Sequence, residues 1–145
     1  MNNIRFSIGA DTKSKCVYVA DQYLERNNYS IIKYGILANQ KSDWVEIAKN
    51  VANDVKNGKS DFGIIFCFTG TGVTIVANKI KKIRAALCND KVIAEGARKW
   101  NNANILTMST ISVKEDEVEE IISTWINTEV DKDELKNINK IGEIE

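Results

Sequence analysis

The chain has 145 residues, 43% of them hydrophobic, which suits one domain with a sizeable core and makes two domains unexpected. Twenty basic and twenty acidic residues leave no net charge, so no global field draws the chain to nucleic acid or to an anionic membrane. Three widely spaced cysteines and no histidine argue against a disulfide framework or a zinc site. No apolar run approaches the length that is needed to span a bilayer, so we expect a cytoplasmic protein.

Apolar periodicity predicts five strands, each followed by a helix. The strands are expected at 4–8, 29–34, 62–66, 83–87 and 104–108. The helices are expected over about 13–27, 44–56, 71–81, 91–100 and 113–126. The helix-capping candidates are Asp11 or Thr12, Ser42 or Asp43, and Asp90.

This alternation predicts an α/β fold, a three-layer α/β/α sandwich around a Rossmann-like five-stranded parallel sheet. Residues 1–127 are expected to form this single domain. Residues 128–145 alternate between charged and apolar side chains, and we expect this tail to pack on a neighbouring subunit.

The chain is organised around a stretch that leads from the buried strand 62–66 through Cys67 into the glycine-rich turn 69–72 and then a helix. Small residues in such a turn let backbone N–H groups point at an anion, and the helix adds its positive dipole end. The stretch is neither a Walker loop nor G-x-G-x-x-G, so it does not predict a nucleotide site.

A thiol beside helix N-terminal amides is favoured as a thiolate, which makes Cys67 a candidate base or nucleophile. The alternative is that Cys67 is an ordinary buried cysteine that packs as a small hydrophobe. Because ligands of parallel sheets bind beyond the carboxyl ends of the strands, Asp11, the loop 36–43, Cys67 and Asn89 are expected to converge on one crevice.

Several segments together resemble the family of ribose-5-phosphate isomerase B and galactose-6-phosphate isomerase over nearly the whole chain. They are residues 8–11 (IGAD), 61–64 (DFGI), 67–72 (CFTGTG), 77–79 (ANK), 83–90 (IRAALCND) and 97–104 (ARKWNNAN). The resemblance implies a Rossmann-like sandwich and a homodimer or tetramer with the active site at the subunit interface. It also implies interconversion of aldose and ketose phosphates through a cis-enediolate, without cofactor or metal.

By this resemblance Cys67 is the base that moves a proton between C1 and C2, and Thr69 is a second catalytic residue, whose hydroxyl belongs to the hole that stabilises the enediolate. The resemblance assigns an anion hole for the enediolate to Phe68, Gly70, Thr71 and Gly72. It assigns substrate contacts to Asp11, Thr12, Trp44, Asn89, Trp100 and Asn101, with Asn101 donated by the neighbouring subunit.

The chain departs from the family at several positions. Thr12, Asn89 and Trp100 stand where the family has histidines, and the histidine replaced by Trp100 assists ring opening. Trp44 replaces a tyrosine, Phe68 a glycine and Ile111 an arginine. The C-terminal arginines that hold phosphate have no counterpart, and the tail offers only Lys132, Lys136 and Lys140.

These losses fall on phosphate binding and ring opening, whereas the base and the anion hole remain. Three hypotheses follow. The chain is an isomerase for a substrate shifted from ribose 5-phosphate, either nonphosphorylated or already open-chain. It is a subunit of a hetero-oligomeric isomerase that is completed by a related chain. It is a noncatalytic sugar-binding protein on the isomerase scaffold.

Overall fold

The computed structural model describes residues 3–145, so the first two residues of the expected domain lie outside it. Its strands are Arg5–Ala10 (β1), Ser30–Gly35 (β2), Phe62–Cys67 (β3), Ala85–Leu87 (β4) and Ile105–Ser109 (β5). Its α-helices are Lys15–Arg26 (α1), Trp44–Lys56 (α2), Thr71–Asn78 (α3), Lys91–Asn101 (α4), Val118–Asn127 (α5) and Leu135–Glu143 (α6). None of these helices is long and apolar enough to cross a membrane.

All five strands are parallel, in the order β2-β1-β3-β5-β4. The central strand β3 pairs with β1 on one side and with β5 on the other. Its residues Ile64, Ile65 and Phe66 are fully buried, as an apolar run covered on both faces requires. The five-stranded parallel sheet is therefore as predicted.

Helices cover both faces of the sheet. Helices α1, α4 and α5 share the larger core on one face, which includes Val17, Ala94 and Trp125. Helices α2 and α3 share the smaller core on the other face, which includes Val51 and Val73. The chain leaves β1 toward β2 and later returns to β3 on the other side of β1. A switch point therefore lies between the carboxyl ends of β1 and β3, where ligands bind in such folds.

Local capping patterns predicted two of three helix starts. Asp43 and Asp90 accept the N–H groups of Glu46 and Ile93, at 2.8 and 2.9 Å, and thereby cap α2 and α4. The prediction for α1 was wrong, because Ser14 caps it instead of Asp11 or Thr12. Strand β1 runs on to Ala10, past its predicted end, which moves the turn and the cap along the chain.

The C-terminal third differs most from the sequence prediction. The chain turns directly after β5, where the N–H of Val113 donates to the carbonyl of Ser109, and α5 therefore begins at Val118. The segment 128–145 contains the unpredicted helix α6, whose Ile138 is buried. This tail contacts its own chain through the N–H of Asp131 and the carbonyl of Lys99, at 2.8 Å. Its packing on a neighbouring subunit stays a prediction.

Candidate active site

Cys67 is the last residue of β3, and the turn that follows it leads directly into α3. Its side chain is 8% exposed, and its Sγ accepts the N–H of Gly70 at 3.1 Å. The sulfur therefore already serves as a hydrogen-bond acceptor for a turn amide. A sulfur that acts as a base needs such a donor within reach, because hydrogen bonds to a charged acceptor are the stronger ones.

Gly70 allows the turn to pass close beneath the neighbouring strand. It adopts a left-handed conformation with φ of 78°, which is strained for residues that carry a Cβ. A Cβ at this position would also lie 3.0 Å from the carbonyl carbon of Met108 and 3.1 Å from the nitrogen of Ser109. Since both atoms belong to the backbone of β5, only glycine fits here without moving the strand.

A cleft of about 270 Å³ opens above the thiol at the switch point between β1 and β3. Its lining comprises seven of the predicted site residues, namely Asp11, Trp44, Cys67, Phe68, Thr69, Thr71 and Gly72. Two larger cavities, of about 570 and 530 Å³, do not include Cys67. We take the smaller cleft as the candidate active site because it alone of the three combines the thiol, the turn amides and a carboxylate.

The carboxylate of Asp11 lacks a full set of partners. Its Oδ1 atom is shielded from solvent and has no hydrogen-bond partner among residues 3–145. Buried polar atoms are nearly always paired in folded proteins, so an orphaned acceptor beside a cleft suits the hydroxyl of a bound molecule.

Two aromatic side chains flank the cleft, and both are substantially exposed. Trp44, the first residue of α2, is 42% exposed, and its ring covers Gly72, where a Cβ would lie 2.8 to 3.2 Å from ring atoms. Phe68 is 65% exposed, so most of its side chain faces solvent. The Phe68 ring is therefore not packed into the interior of the protein.

The surroundings of the Cys67 thiol differ from those of the other two cysteines. Burial is the main cause that raises the pKa of the Cys16 thiol. Burial, reinforced by the nearby Asp90 carboxylate, raises the pKa of Cys88 to about 12. Cys16 and Cys88 are therefore disfavoured as thiolates, whereas Cys67 contacts an amide donor at the edge of a cleft. The hydroxyls of Thr69 and Thr71 lie 2.7 Å apart beside it.

Four other predicted substrate residues lie outside this cleft in the single chain. Thr12 is exposed, and Asn89 uses its side-chain oxygen to accept the N–H of Ser109 at 2.9 Å. Trp100 is half exposed and rests on Gly96 one turn earlier in α4, and Asn101 is the exposed last residue of that helix. Their contribution to a neighbouring subunit's cleft stays a prediction.

Sequence reasoning missed the side chains that hold the turn from behind, Ser109 and Thr74. The hydroxyl of Ser109 donates to the carbonyl of Phe68 at 2.8 Å, and that of Thr74 to the carbonyl of Gly70 at 2.6 Å. The only sequence pattern that pointed to Ser109 was its position directly after the apolar strand 104–108. Nothing in the local sequence indicated that this strand neighbours β3.

A family model described as Ribose/Galactose Isomerase matches residues 7–144. The chain is 39% identical to the Ribose-5-P isomerase B of Listeria innocua over 106 residues, which cover 73% of this chain and 72% of that one. It is 31% identical to the D-erythrulose-4-phosphate isomerase of Pectobacterium atrosepticum over 142 residues, or 96% of this chain and 93% of that one. The crystal structure of a ribose 5-phosphate isomerase from Thermotoga maritima matches with a TM-score of 0.90 and 30% identity, covering 98% and 99% of the two chains.

Proposed function

Since the chain belongs to the ribose/galactose isomerase family, we propose that it interconverts an aldose and a ketose phosphate with Cys67 as the base. The observation that carries the proposal is the thiol of Cys67 at the cleft, within 3.1 Å of a turn amide. A thiolate there is positioned to remove a proton from a bound carbon acid, and the same amides favour the negative charge that develops on oxygen.

The reaction needs no external oxidant or reductant. The Cys67 thiolate removes the proton from C2 of the aldose, and the electron pair of that C–H bond forms the C1–C2 double bond of an enediolate, while the carbonyl electrons move to O1. The N–H of Gly70 donates to the Cys67 sulfur, and the other amides of residues 68–72 form the anion hole that stabilises this charge. The thiol then returns the proton to C1, and the hydroxyl of Thr69 assists the transfer of the remaining proton from O2 to O1.

We further propose that the substrate is acyclic. Histidine is absent from the sequence, and Trp100 occupies the position of the ring-opening histidine in the resemblance described above. A four-carbon sugar with phosphate on O4 has no free hydroxyl that could close a five-membered ring, so its carbonyl needs no ring opening. Two observations support this substrate class: a small cleft of about 270 Å³, and a relative named D-erythrulose-4-phosphate isomerase that aligns with 96% of this chain.

The test is proton exchange in heavy water, followed by NMR, with D-erythrose 4-phosphate, D-erythrulose 4-phosphate and ribose 5-phosphate. We expect deuterium at C1 or C2 of the four-carbon sugars, and a loss of roughly a thousandfold or more in Cys67→Ala, because a positioned general base contributes about two to four orders of magnitude. Faster exchange with ribose 5-phosphate would contradict the acyclic substrate. Undiminished exchange in Cys67→Ala would contradict the catalytic role of the thiol.

A second candidate is a composite site completed by another chain. The residues that line the cleft include no lysine or arginine, although a phosphate group is normally held by such cations. The missing charge would then come from a neighbouring subunit, either a second copy or a related isomerase chain. If a second copy supplies the charge, the pure chain is active as an oligomer. If a related chain supplies it, the pure chain supports no exchange until a relative with histidine and arginine is added, and Cys67→Ala abolishes the activity of the mixture.

A further inference from the structure

Three backbone carbonyl groups in and before the glycine turn are held by hydrogen bonds. The carbonyl of Cys67 accepts the N–H of Thr110 at 3.1 Å. The carbonyl of Phe68 accepts the hydroxyl of Ser109 at 2.8 Å and, at the longer distance of 3.4 Å, the N–H of Ile111. The carbonyl of Gly70 accepts the hydroxyl of Thr74 at 2.6 Å. The orientation of each of these peptide units is therefore set by a donor on β5, on the loop after it, or on α3.

Holding a carbonyl also determines where the next N–H group points. A trans peptide is planar, so the N–H of each residue points opposite to the carbonyl of the residue before it. The carbonyls of Cys67 and Phe68 face β5, and β1 lies on the opposite side of β3. The N–H groups of Phe68 and Thr69 are thereby directed toward the β1 side, where Asp11 lines the cleft.

The surroundings of Ser109 orient its hydroxyl group so that it donates to the carbonyl of Phe68. The side chain is 1% exposed, and its Oγ accepts the N–H groups of Ile111 at 3.3 Å and Ser112 at 3.2 Å. With both N–H groups on the oxygen, the hydroxyl hydrogen is free to point at the carbonyl of Phe68. The N–H of Ser109 is in turn held by the side chain of Asn89.

Thr74 holds the turn from the helix side. Its hydroxyl pairs with the carbonyl of Gly70 and with the hydroxyl of Thr107, a buried residue of β5. With the Gly70 carbonyl held there, the N–H of Thr71 points away from it and lies 3.4 Å from the hydroxyl oxygen of Thr69, and both threonines line the cleft. Two hydroxyl groups from different elements thus orient two different peptide units of the anion hole.

We propose that Ser109 and Thr74 are positioning residues that aim the N–H groups of Thr69 and Thr71 at the enediolate; this inference rests on the proposed isomerase function. Donors aimed in advance at developing charge stabilise the transition state more than the substrate. Loss of either hydroxyl is therefore expected to lower kcat while leaving KM nearly unchanged.

The first test compares Ser109→Ala with Ser7→Ala. Ser7 is also a fully buried serine on a central strand, but its hydroxyl bonds to Asp54 and Ser60 instead of the turn. We expect Ser109→Ala to lower kcat about tenfold to a hundredfold, which is no more than the loss of a whole anion-hole donor causes. Ser7→Ala should leave kcat within about twofold of the unmodified protein. Both variants are expected to lose comparable stability, measured by urea unfolding.

The second test uses a pair of variants at Thr74 that differ only in the hydroxyl and a methyl group. Thr74→Val keeps the shape and removes the hydroxyl, whereas Thr74→Ser keeps the hydroxyl. We expect Thr74→Val to lose about tenfold in kcat and Thr74→Ser to retain most of it. Affinity for 3-phosphoglycerohydroxamic acid, whose planar hydroxamate imitates the enediolate oxygens of a four-carbon sugar phosphate, should fall by the same factor as kcat in each variant.

The outcomes separate this inference from the function on which it rests. If the unmodified protein supports no exchange with any sugar, either alone or mixed with a related isomerase chain, the proposed function fails and the positioning role fails with it. If the protein is active but Ser109→Ala matches Ser7→Ala in kcat, and Thr74→Val matches Thr74→Ser, the positioning role alone is wrong. An increase in KM with unchanged kcat also overturns it. If Ser109→Ala does not fold, the Thr74 pair decides.

Discussion

Two groups of buried polar side chains contact this sheet, and they differ in how completely their hydrogen bonds are made. Beneath α2, the Asp54 carboxylate accepts the hydroxyls of Ser7 at 2.8 Å and Tyr34 at 2.7 Å, and Ser7 also pairs with Ser60 at 2.6 Å. Beside the cleft, Asp11 has a buried oxygen with no partner among residues 3–145. Both aspartates lie close to β1, but of the two only Asp11 has a buried oxygen that the described residues leave without a partner.

The difference shows how the fold separates stability from binding. A fully paired network reaches its lowest free energy without any ligand, and each of its members is costly to remove. An orphaned acceptor costs stability in the free protein, and that cost is recovered when a ligand hydroxyl arrives. The first arrangement is expected to govern unfolding, and the second is expected to govern activity.

The variant expected to have the largest effect is Asp54→Ala, which removes the shared acceptor of the network beneath α2. The variant leaves the hydroxyls of Ser7 and Tyr34 without their shared acceptor, so we expect a loss of about 3 kcal/mol in the free energy of unfolding. The exchange activity of the folded fraction should be unchanged, since Asp54 does not line the cleft. Glu119→Ala, which removes only an exposed ion pair with Arg26, serves as the control and should cost less than about 1 kcal/mol. An equal loss in both variants would contradict the comparison.

Asp11→Asn tests whether the orphaned carboxylate beside the cleft binds substrate. Replacing the carboxylate by an amide of the same shape removes the charged acceptor that we assign to a substrate hydroxyl, and we expect kcat/KM to fall about tenfold to a hundredfold. The free energy of unfolding should stay constant or rise slightly, because the substitution replaces a buried carboxylate oxygen that lacks a partner by a group without charge. Destabilisation as large as that of Asp54→Ala would show that Asp11 is a structural residue.

The smallest expected effect is a pH dependence of stability that arises in the network around Asp54. Burial, together with the hydrogen bond to Asp54 and its charge, raises the pKa of Tyr34 from 10.0 to about 12. The raised pKa favours the neutral phenol in the folded state, so its contribution is complete below pH 10.0 and is lost as the pH rises toward about 12. Unfolding by urea across this window should show a steeper loss for the unmodified protein than for Tyr34→Phe. The exposed Tyr18→Phe should behave like the unmodified protein, and identical slopes in all three would exclude the effect.

Local patterns were sufficient to predict the order of the elements and the central turn. The apolar runs, the caps Asp43 and Asp90, and the glycines after Cys67 all act on residues within a few positions of themselves. Predictions failed where contacts between residues far apart in the chain determined the bounds of an element. Strand β1 ran on to Ala10 beside β3, which moved the first cap to Ser14, and helix α6 formed where only a tail was expected.

The sequence by itself determined the α/β alternation, the thiol at the end of β3 and the turn that must contain Gly70, since each depends on contiguous residues. Only the tertiary structure decided that β1 and β5 lie on opposite sides of β3. That order brings Ser109 to a carbonyl 41 positions away, and it leaves an oxygen of Asp11 beside the cleft without a partner in the described part of the chain. Such contacts join side chains that are remote in the chain, so they depend on strand order and packing, which no local pattern specifies.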